Sequence, residues 1–170
     1  FGYQRIVAEQ PPYNLLDRRI ENELIPLANK YGIGLITWAP MAMGVLAGRY
    51  KSLNSLPKSS RAIYRGGYYR DRVTEAGLDI GKNFSILAKK VDLSPAQLAL
   101  LWVKEQPGVT APLMGPRTMN HLKELIPVMS MRLDDETRLA CDRLVSPGTA
   151  VTDFHNTSGW MKMVDRKSVV

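Results

Sequence analysis

Hydrophobic positions along the chain fall into short apolar runs separated by longer amphipathic stretches. The short runs predict three strands, at residues 5–10, 33–38 and 109–115. The longer stretches carry apolar residues at helical spacing and predict helices over residues 17–32, 81–91, 94–106, 117–129 and 134–145. Strands that alternate with helices at this spacing predict right-handed crossovers and a parallel sheet.

Two architectures contain such a sheet. A doubly wound dinucleotide-binding fold is expected to show Gly-x-Gly-x-x-Gly between its first strand and helix, and this chain has no such turn there. A (β/α)8 barrel instead places its chemistry in the loops at the carboxyl ends of its strands. Gln10, Trp38 and the turn at Met114 and Gly115 fall at those ends. Their positions favour the barrel.

The second predicted strand ends on Trp38 and is followed by a loop of mostly small residues, "APMAMGVLAG" at 39–48. An indole ring at a strand end can lie flat against a planar aromatic ligand. Backbone with few large side chains allows a bulky, charged group to approach closely. Together these features indicate a nucleotide site, with a core-filling role for Trp38 as the structural alternative.

Composition is that of an ordinary soluble globular protein, because 45% of the 170 residues are hydrophobic and 23% are charged. We expect a cytoplasmic protein that contacts no membrane, because the sequence shows neither a membrane-span run nor a signal-peptide pattern. The single cysteine, Cys141, falls on the apolar stripe of a predicted helix, so we expect it to be buried. We expect neither a disulfide nor a metal site.

Basic residues are concentrated in one segment, residues 49–72, which carries Asp71 as its one acidic residue. The net charge of +7 is compatible with nucleic-acid binding, but no nucleic-acid-binding motif accompanies it. The segment is therefore interpreted either as a solvated surface loop or as a site for a small polyanionic ligand. Its basic residues are Arg49, Lys51, Lys58, Arg61, Arg65, Arg70 and Arg72.

Two long stretches carry a family resemblance, "EQPPYNLLDRRIENELIPLANKYGIGLITWAPMAMGVLAGRY" at 9–50 and "LSPAQLALLWVKEQPGVTAPLMGPRTMNHLKEL" at 93–125. In order and spacing they resemble the C-terminal half of the aldo-keto reductases, especially the branch with the potassium-channel beta subunits and bacterial relatives. The resemblance implies that residues 1–170 form the C-terminal, cofactor-binding portion of a (β/α)8 barrel. It also implies that NADP(H) binds in an extended form.

The resemblance assigns residues to the nicotinamide and the pyrophosphate. Gln10 matches the residue that holds the nicotinamide carboxamide, and Trp38 matches the aromatic residue that stacks on the nicotinamide. Arg49 and Arg61 match basic positions near the phosphates. Ala39 stands where the family usually has serine, which removes one hydroxyl contact. The loop over the pyrophosphate corresponds to Ala39, Pro40, Met41, Ala42, Gly44 and Leu46.

The adenosine end matches residues around the third strand. Gly115 and Arg117 match this region, and Arg117 is the candidate for the 2′-phosphate because it begins a predicted helix, where the dipole favours anions. His121 stands where the family commonly has glutamine, and Leu125 where it has asparagine. Glu124 keeps its acidic position. In the C-terminal tail, which in the family borders the substrate pocket, the candidates for pocket lining are Phe154 and Trp160.

The family's catalytic Asp, Tyr, Lys and His lie in the first half of the barrel, so we assign no catalytic residue in this chain. The resemblance implies an NADPH-dependent reductase of aldehydes or ketones, of which this chain carries the NADP-binding half. Two alternatives are an NADP-binding regulatory subunit and a non-catalytic half-barrel that assembles with a partner. The expected partner is a small-molecule carbonyl substrate, and either a homo-oligomer or a partner half-barrel is compatible with the sequence.

Overall fold

A computed structural model describes residues 4–155, which form a parallel sheet with helices around it. The strands are β1 (Ala8–Glu9), β2 (Gly34–Thr37) and β3 (Ala111–Pro112), in the order β1-β2-β3. Ala8 is in register with Gly34, and Ile36 with Ala111. The predicted parallel sheet is confirmed. β1 and β3 are shorter than the apolar runs that predicted them.

Seven α-helices and four 3-10 helices occur in the described part of the chain. The α-helices are α1 (Leu24–Tyr31), α2 (Arg61–Tyr64), α3 (Tyr68–Asp71), α4 (Glu75–Lys90), α5 (Pro95–Lys104), α6 (Met119–Leu125) and α7 (Asp135–Leu144). The 3-10 helices are Arg19–Glu21, Ala42–Gly44, Leu53–Ser55 and Ile126–Ser130. No helix among residues 4–155 has the length and apolar character needed to cross a membrane.

The two faces of β2 have different environments. Leu35 and Thr37 are completely buried, whereas Gly34 and Ile36 are only partly buried. Successive side chains of a strand point to opposite faces of the sheet, so one face is covered and the other is more open. Helix α1 contacts β2, and α5, whose residues 98–103 are all buried, contacts β3. The core therefore lies between the sheet and its helices.

The single helix predicted over residues 17–32 is wrong, because the structure divides it into a 3-10 helix at Arg19–Glu21 and α1. Pro26 explains the division. Proline has no backbone N–H and its ring clashes with the carbonyl four residues earlier, so it is tolerated only in a first helical turn. Helix α1 starts at Leu24, which places Pro26 in that turn, and ends at Gly32 in the left-handed conformation.

Local capping signals account for other helix boundaries. Helix α5 begins as predicted, with Ser94 and Gln97 forming a reciprocal capping box and Pro95 in the first helical position. Helix α4 begins six residues earlier than predicted, at Glu75, because the Thr74 hydroxyl accepts a hydrogen bond from the Gly77 amide.

The basic segment is more ordered than a simple surface loop. It contains one 3-10 turn and the two one-turn helices α2 and α3, and Ser60 caps α2 by accepting a hydrogen bond from the Ile63 amide. Arg61 and Arg65 are exposed, whereas Arg72 is buried. The interpretation of the whole segment as solvated is therefore wrong for Arg72.

A network of charged side chains centred on the buried Asp17 joins the region after β1 to the end of the described chain. Asp17, which is completely buried, accepts hydrogen bonds from the Arg19 guanidinium and from the Phe154 amide. Arg19 also pairs with Asp153 at 2.7 Å. The Arg18 amide donates to the Thr149 carbonyl, which adds a backbone link between the same two regions. Segment 149–154 is thereby held against residues 14–21.

Cys141 is completely buried on α7, as the helical periodicity predicts. Burial raises the pKa of its thiol to about 12, so the group stays protonated near neutral pH. This environment is that of a structural cysteine.

Candidate functional site

Trp38 lies immediately beyond the carboxyl end of β2. Its amide donates to the Pro11 carbonyl, and its own carbonyl accepts from the Tyr13 amide, both at 3.0 Å. The alternation along β2 places Trp38 on the same side as Ile36, the more open face of the sheet, and the residue is only partly buried. The sheet therefore fixes the backbone of Trp38 while its side chain keeps accessible surface.

The loop after Trp38 turns sharply through left-handed backbone. Ala39, Ala42 and Met43 have φ angles of 59°, 47° and 59°, which is uncommon for residues other than glycine. Such conformations cluster at ligand-binding and switch regions. Hydrogen bonds hold the turn, from the Ala42 amide to the Ala39 carbonyl and from the Gly44 amide to the Met41 carbonyl. The loop is compact and fixed by its own backbone.

Helix α4 supports this loop from behind. A Cβ atom placed on Gly81 would lie 2.8 Å from the Val45 carbonyl oxygen, so only glycine allows the helix and loop to approach this closely. Two residues of the loop itself, Ala42 and Leu46, are buried in the core. The residues predicted to fold over a pyrophosphate thus have a rigid base.

The charges of three arginines, Arg49, Arg61 and Arg117, act on one side chain, Tyr50. The Tyr50 hydroxyl donates to the Met43 carbonyl at 2.9 Å, which ties it to the loop after Trp38. Burial raises the pKa of Tyr50, while the charge of Arg49, a hydrogen bond with the Ser60 side chain and the charges of Arg117 and Arg61 act to lower it. A positive charge favours the ionised form of a phenol, so each of the three arginines acts in the same direction. The charges of these predicted phosphate ligands therefore all act on the residue that is tied to the loop after Trp38.

Arg49 is partly anchored in this cluster. Its guanidinium donates to the Ser59 carbonyl and hydroxyl at 3.1 and 3.2 Å, and its stem packs beside Gly44. Ser59 therefore holds the Arg49 guanidinium, while Arg61 and Arg117 remain exposed. Together they leave positive charge available to an anion.

The residues predicted for the adenosine end follow β3. Gly115 and His121 are exposed, and the His121 amide is capped by the Thr118 hydroxyl. The Glu124 carboxylate accepts a hydrogen bond from the Ser94 hydroxyl at 2.5 Å, which joins α6 to the start of α5. Leu125, which replaces the family's asparagine, is 3% exposed and packs in the core. Glu124 thus also has a structural contact, and Leu125 faces away from any ligand.

The remaining predicted residues have varied environments. Gln10 is exposed directly after β1. Pro40 is buried and Met41 half-buried in the loop after Trp38. Phe154 is completely buried and contacts a guanidinium, so its ring lines no open pocket in this structure. Trp160 lies outside the described residues.

Sequence reasoning missed two residues of this region. The sequence does not single out Tyr50, on which the arginine charges act, and it shows Arg72 only as one basic residue among several. The guanidinium carbon of Arg72 lies 5.2 Å from the centroid of the Trp38 ring. The neighbouring tyrosines in "YYRDR" at 68–72 were the available sequence signal, since arginine commonly stacks on aromatic faces.

The arrangement suits an elongated ligand with a planar ring at one end and anionic groups further along. Trp38 offers an aromatic surface, the compact loop offers backbone, and the arginine cluster offers positive charge. Within residues 4–155 no group of three or more His, Cys, Asp or Glu side chains is arranged to hold a metal ion.

Comparisons with known proteins identify the family of this chain. The model of the aldo/keto reductase family matches residues 2–146. The uncharacterized oxidoreductase YrpG of Bacillus subtilis is 33% identical over 147 residues, which is 86% of this chain and 43% of that protein. A probable voltage-gated potassium channel subunit beta of Oryza sativa is 33% identical over 140 residues, covering 76% of this chain and 42% of that protein.

An Escherichia coli L-glyceraldehyde 3-phosphate reductase is 32% identical over 130 residues, or 74% of this chain and 37% of that protein. The solved structure of a glycerol dehydrogenase from Gluconobacter oxydans superimposes with a TM-score of 0.65 and 27% identity, covering 81% of this chain and 41% of that chain. The chain spans about two fifths of the length of these relatives, so its fold is part of a (β/α)8 barrel. The chain belongs to the aldo/keto reductase family.

Proposed function

We propose that the protein containing this chain is an NADPH-dependent oxidoreductase that reduces aldehydes or ketones to alcohols. The chain supplies the half of the site that binds the cofactor. The observation that carries the proposal is the compact loop after Trp38, which is bonded to Tyr50 and packed against the Arg49 stem. The charges of Arg49, Arg117 and Arg61 all act on Tyr50. A nicotinamide dinucleotide phosphate has the matching order of a planar ring, a pyrophosphate and a further phosphate.

Each part of the site has a proposed role. Trp38 provides a stacking surface for the nicotinamide, and Gln10, exposed at the end of β1, binds its carboxamide. The loop 39–46 and Arg49 and Arg61 hold the pyrophosphate. Gly115 and Arg117 bind the adenosine end, together with His121 and Glu124. Stacking on an indole leaves one face of the nicotinamide open toward a substrate.

The bound cofactor supplies a hydride to the carbonyl carbon. The residues of this chain hold the reacting ring, keep the phosphates in place and shield one side of the nicotinamide from water. The proton for the carbonyl oxygen comes from a side chain outside this chain, since the family resemblance places the catalytic residues in the preceding half. We further propose that the protein works in the cytoplasm on a small-molecule carbonyl.

A second candidate function is a cofactor-binding regulatory subunit with little turnover. It is favoured by the 33% identity to a protein named as a probable voltage-gated potassium channel subunit beta. Oxidation of NADPH by the full-length protein in the presence of aldehydes separates the two functions. Tight NADPH binding with no aldehyde-dependent oxidation would favour the regulatory function.

The variant Trp38→Ala tests the nicotinamide platform. We expect it to weaken NADPH binding by about 1–3 kcal/mol, because stacking of a ring on an aromatic side chain contributes energy of this order. The dissociation constant is measured by isothermal titration calorimetry on the full-length protein. Tyr64→Ala is the matched control, because Tyr64 is an aromatic residue of the basic segment that is 83% exposed. An unchanged constant in a folded Trp38→Ala protein would remove Trp38 from the site.

Limited proteolysis tests whether the basic segment closes over the cofactor. Trypsin cleavage after Arg61 or Arg65 is expected to slow when NADPH is added, because one-turn helices are marginal alone and contact with phosphates would order them. Cleavage after Arg132, which is 86% exposed outside this segment, provides the internal control. Equal rates at Arg61 and Arg65 with and without NADPH would contradict closure.

A further inference from the structure

The guanidinium of Arg72 is enclosed by three aromatic rings. Its central carbon lies 5.2 Å from the ring centroid of Trp38, 5.0 Å from that of Tyr68 and 5.2 Å from that of Phe154. The residue is 2% exposed, and a terminal nitrogen donates to the Phe154 carbonyl at 3.2 Å. A cation over an aromatic face is attracted by the ring quadrupole, most strongly when it is removed from water.

Arg72 connects three parts of the fold that are far apart in sequence. Trp38 follows β2, Tyr68 begins α3, and Phe154 belongs to the segment that Asp17 anchors. Arginine is suited to this position because its flat guanidinium can stack and donate hydrogen bonds together. The contact covers one face of the indole and restrains its rotation. A planar ligand that stacks on Trp38 then has to use the opposite face.

Charge near the Trp38 ring affects the two states of a nicotinamide differently. The oxidised nicotinamide ring carries a positive charge, and the reduced ring is neutral. A guanidinium on the other side of the indole therefore repels the oxidised ring and leaves the reduced ring nearly unaffected. Asp17 and Asp153 also act on Arg72, and both carboxylates pair with Arg19 at 2.7 Å each. Arg72 is the cation that lies on the indole itself.

We propose that Arg72 is a positioning residue that holds the Trp38 ring in place and makes the site prefer NADPH over NADP⁺. The proposal rests on the proposed function, because it requires nicotinamide to stack on Trp38. It is separate from the choice between NADPH and NADH, since both NADPH and NADP⁺ carry the 2′-phosphate. A preference for the reduced cofactor suits a reductase, which must release the oxidised cofactor after each turnover.

The test measures dissociation constants for NADPH and NADP⁺ by calorimetry on the full-length protein and its Arg72→Met, Arg72→Gln and Arg72→Lys variants. We expect the wild type to bind NADPH more tightly. The two neutral variants should lower this preference by about threefold to tenfold, as expected for one charge acting across a stacked ring. Arg72→Lys should retain most of the preference because it keeps the charge. Far-UV circular dichroism checks the fold of each variant.

Arg132→Met removes an exposed charge outside the basic segment and is expected to leave the preference unchanged. A preference that is the same in wild type and both neutral variants would overturn the proposal, even if both cofactors bound more weakly. Tighter binding of both cofactors by Arg72→Met would also overturn it, since Arg72 would then occupy the ligand's face of Trp38. A wild-type protein that binds neither cofactor would overturn the proposed function itself.

Discussion

Replacing Arg18 with methionine is expected to lower the free energy of unfolding by about 3–5 kcal/mol, the usual cost of removing one partner from a buried ion pair. Arg18 is 3% exposed, and its guanidinium pairs with Glu21 and with Asp142 on α7, both at 2.7 Å. It also donates to the Val145 carbonyl at 2.6 Å and lies 5.1 Å from the Trp102 ring centroid. The substitution leaves two carboxylates without their main counter-charge.

The loss is measured by urea unfolding of the full-length protein, followed by circular dichroism. Arg132→Met is the matched control, since Arg132 is 86% exposed and lies 3.4 Å from Glu105. An exposed pair of this kind contributes about 0–1 kcal/mol. If Arg18→Met and Arg132→Met cost the same, the network around Arg18 does not stabilise the fold as its burial indicates.

Replacing Arg117 with methionine is expected to remove most of the preference for NADPH over NADH. A guanidinium can bind a 2′-phosphate through two charge-assisted hydrogen bonds, which contribute about 1.5–3 kcal/mol, or roughly tenfold to a hundredfold in affinity. NADH lacks this phosphate, so its affinity should remain nearly unchanged. No acidic residue stands beside Arg117 in "MGPRTMN" to bind a free ribose hydroxyl, the usual feature of NAD-selective sites.

The measurement is the set of dissociation constants for both cofactors in wild type and variant. The Arg132→Met protein again serves as the control, because it loses an exposed arginine at a different site. Equal affinities of the wild type for NADPH and NADH would contradict the assignment. A variant that loses both cofactors alike would show that Arg117 supports the structure of the site in general.

Local signals account for the parts of the fold that could be predicted. The capping box at Ser94 and Gln97 and the proline at position 95 determine where α5 begins, because every group involved lies within four residues. The helix predicted over 17–32 is wrong because two local signals conflict there. The apolar spacing favours one continuous helix, whereas Pro26 is tolerated only in a first helical turn. The short helices α2 and α3 have no strong periodic signal in a segment rich in glycine and basic residues.

The predicted site shows the same division. Trp38 at the end of a strand could be located from sequence, because a strand followed by small residues is a local pattern. The placement of Arg72 beside Trp38, and the effect of the Arg117 charge on Tyr50, could not. Both join residues that are tens of positions apart, and they depend on how the intervening helices pack.

The sequence by itself determined the alternation of strands and helices, the resemblance to the aldo-keto reductases and the burial of Cys141. The alternation and the burial of Cys141 depend on residue type and spacing along short stretches of chain. The resemblance depends on motifs that match in order and spacing. Only the tertiary structure decided that one basic residue of segment 49–72, Arg72, is buried among aromatic rings while Arg61 remains exposed. The reason is that a charge can be buried only where the packing of distant segments supplies rings and hydrogen-bond acceptors to surround it.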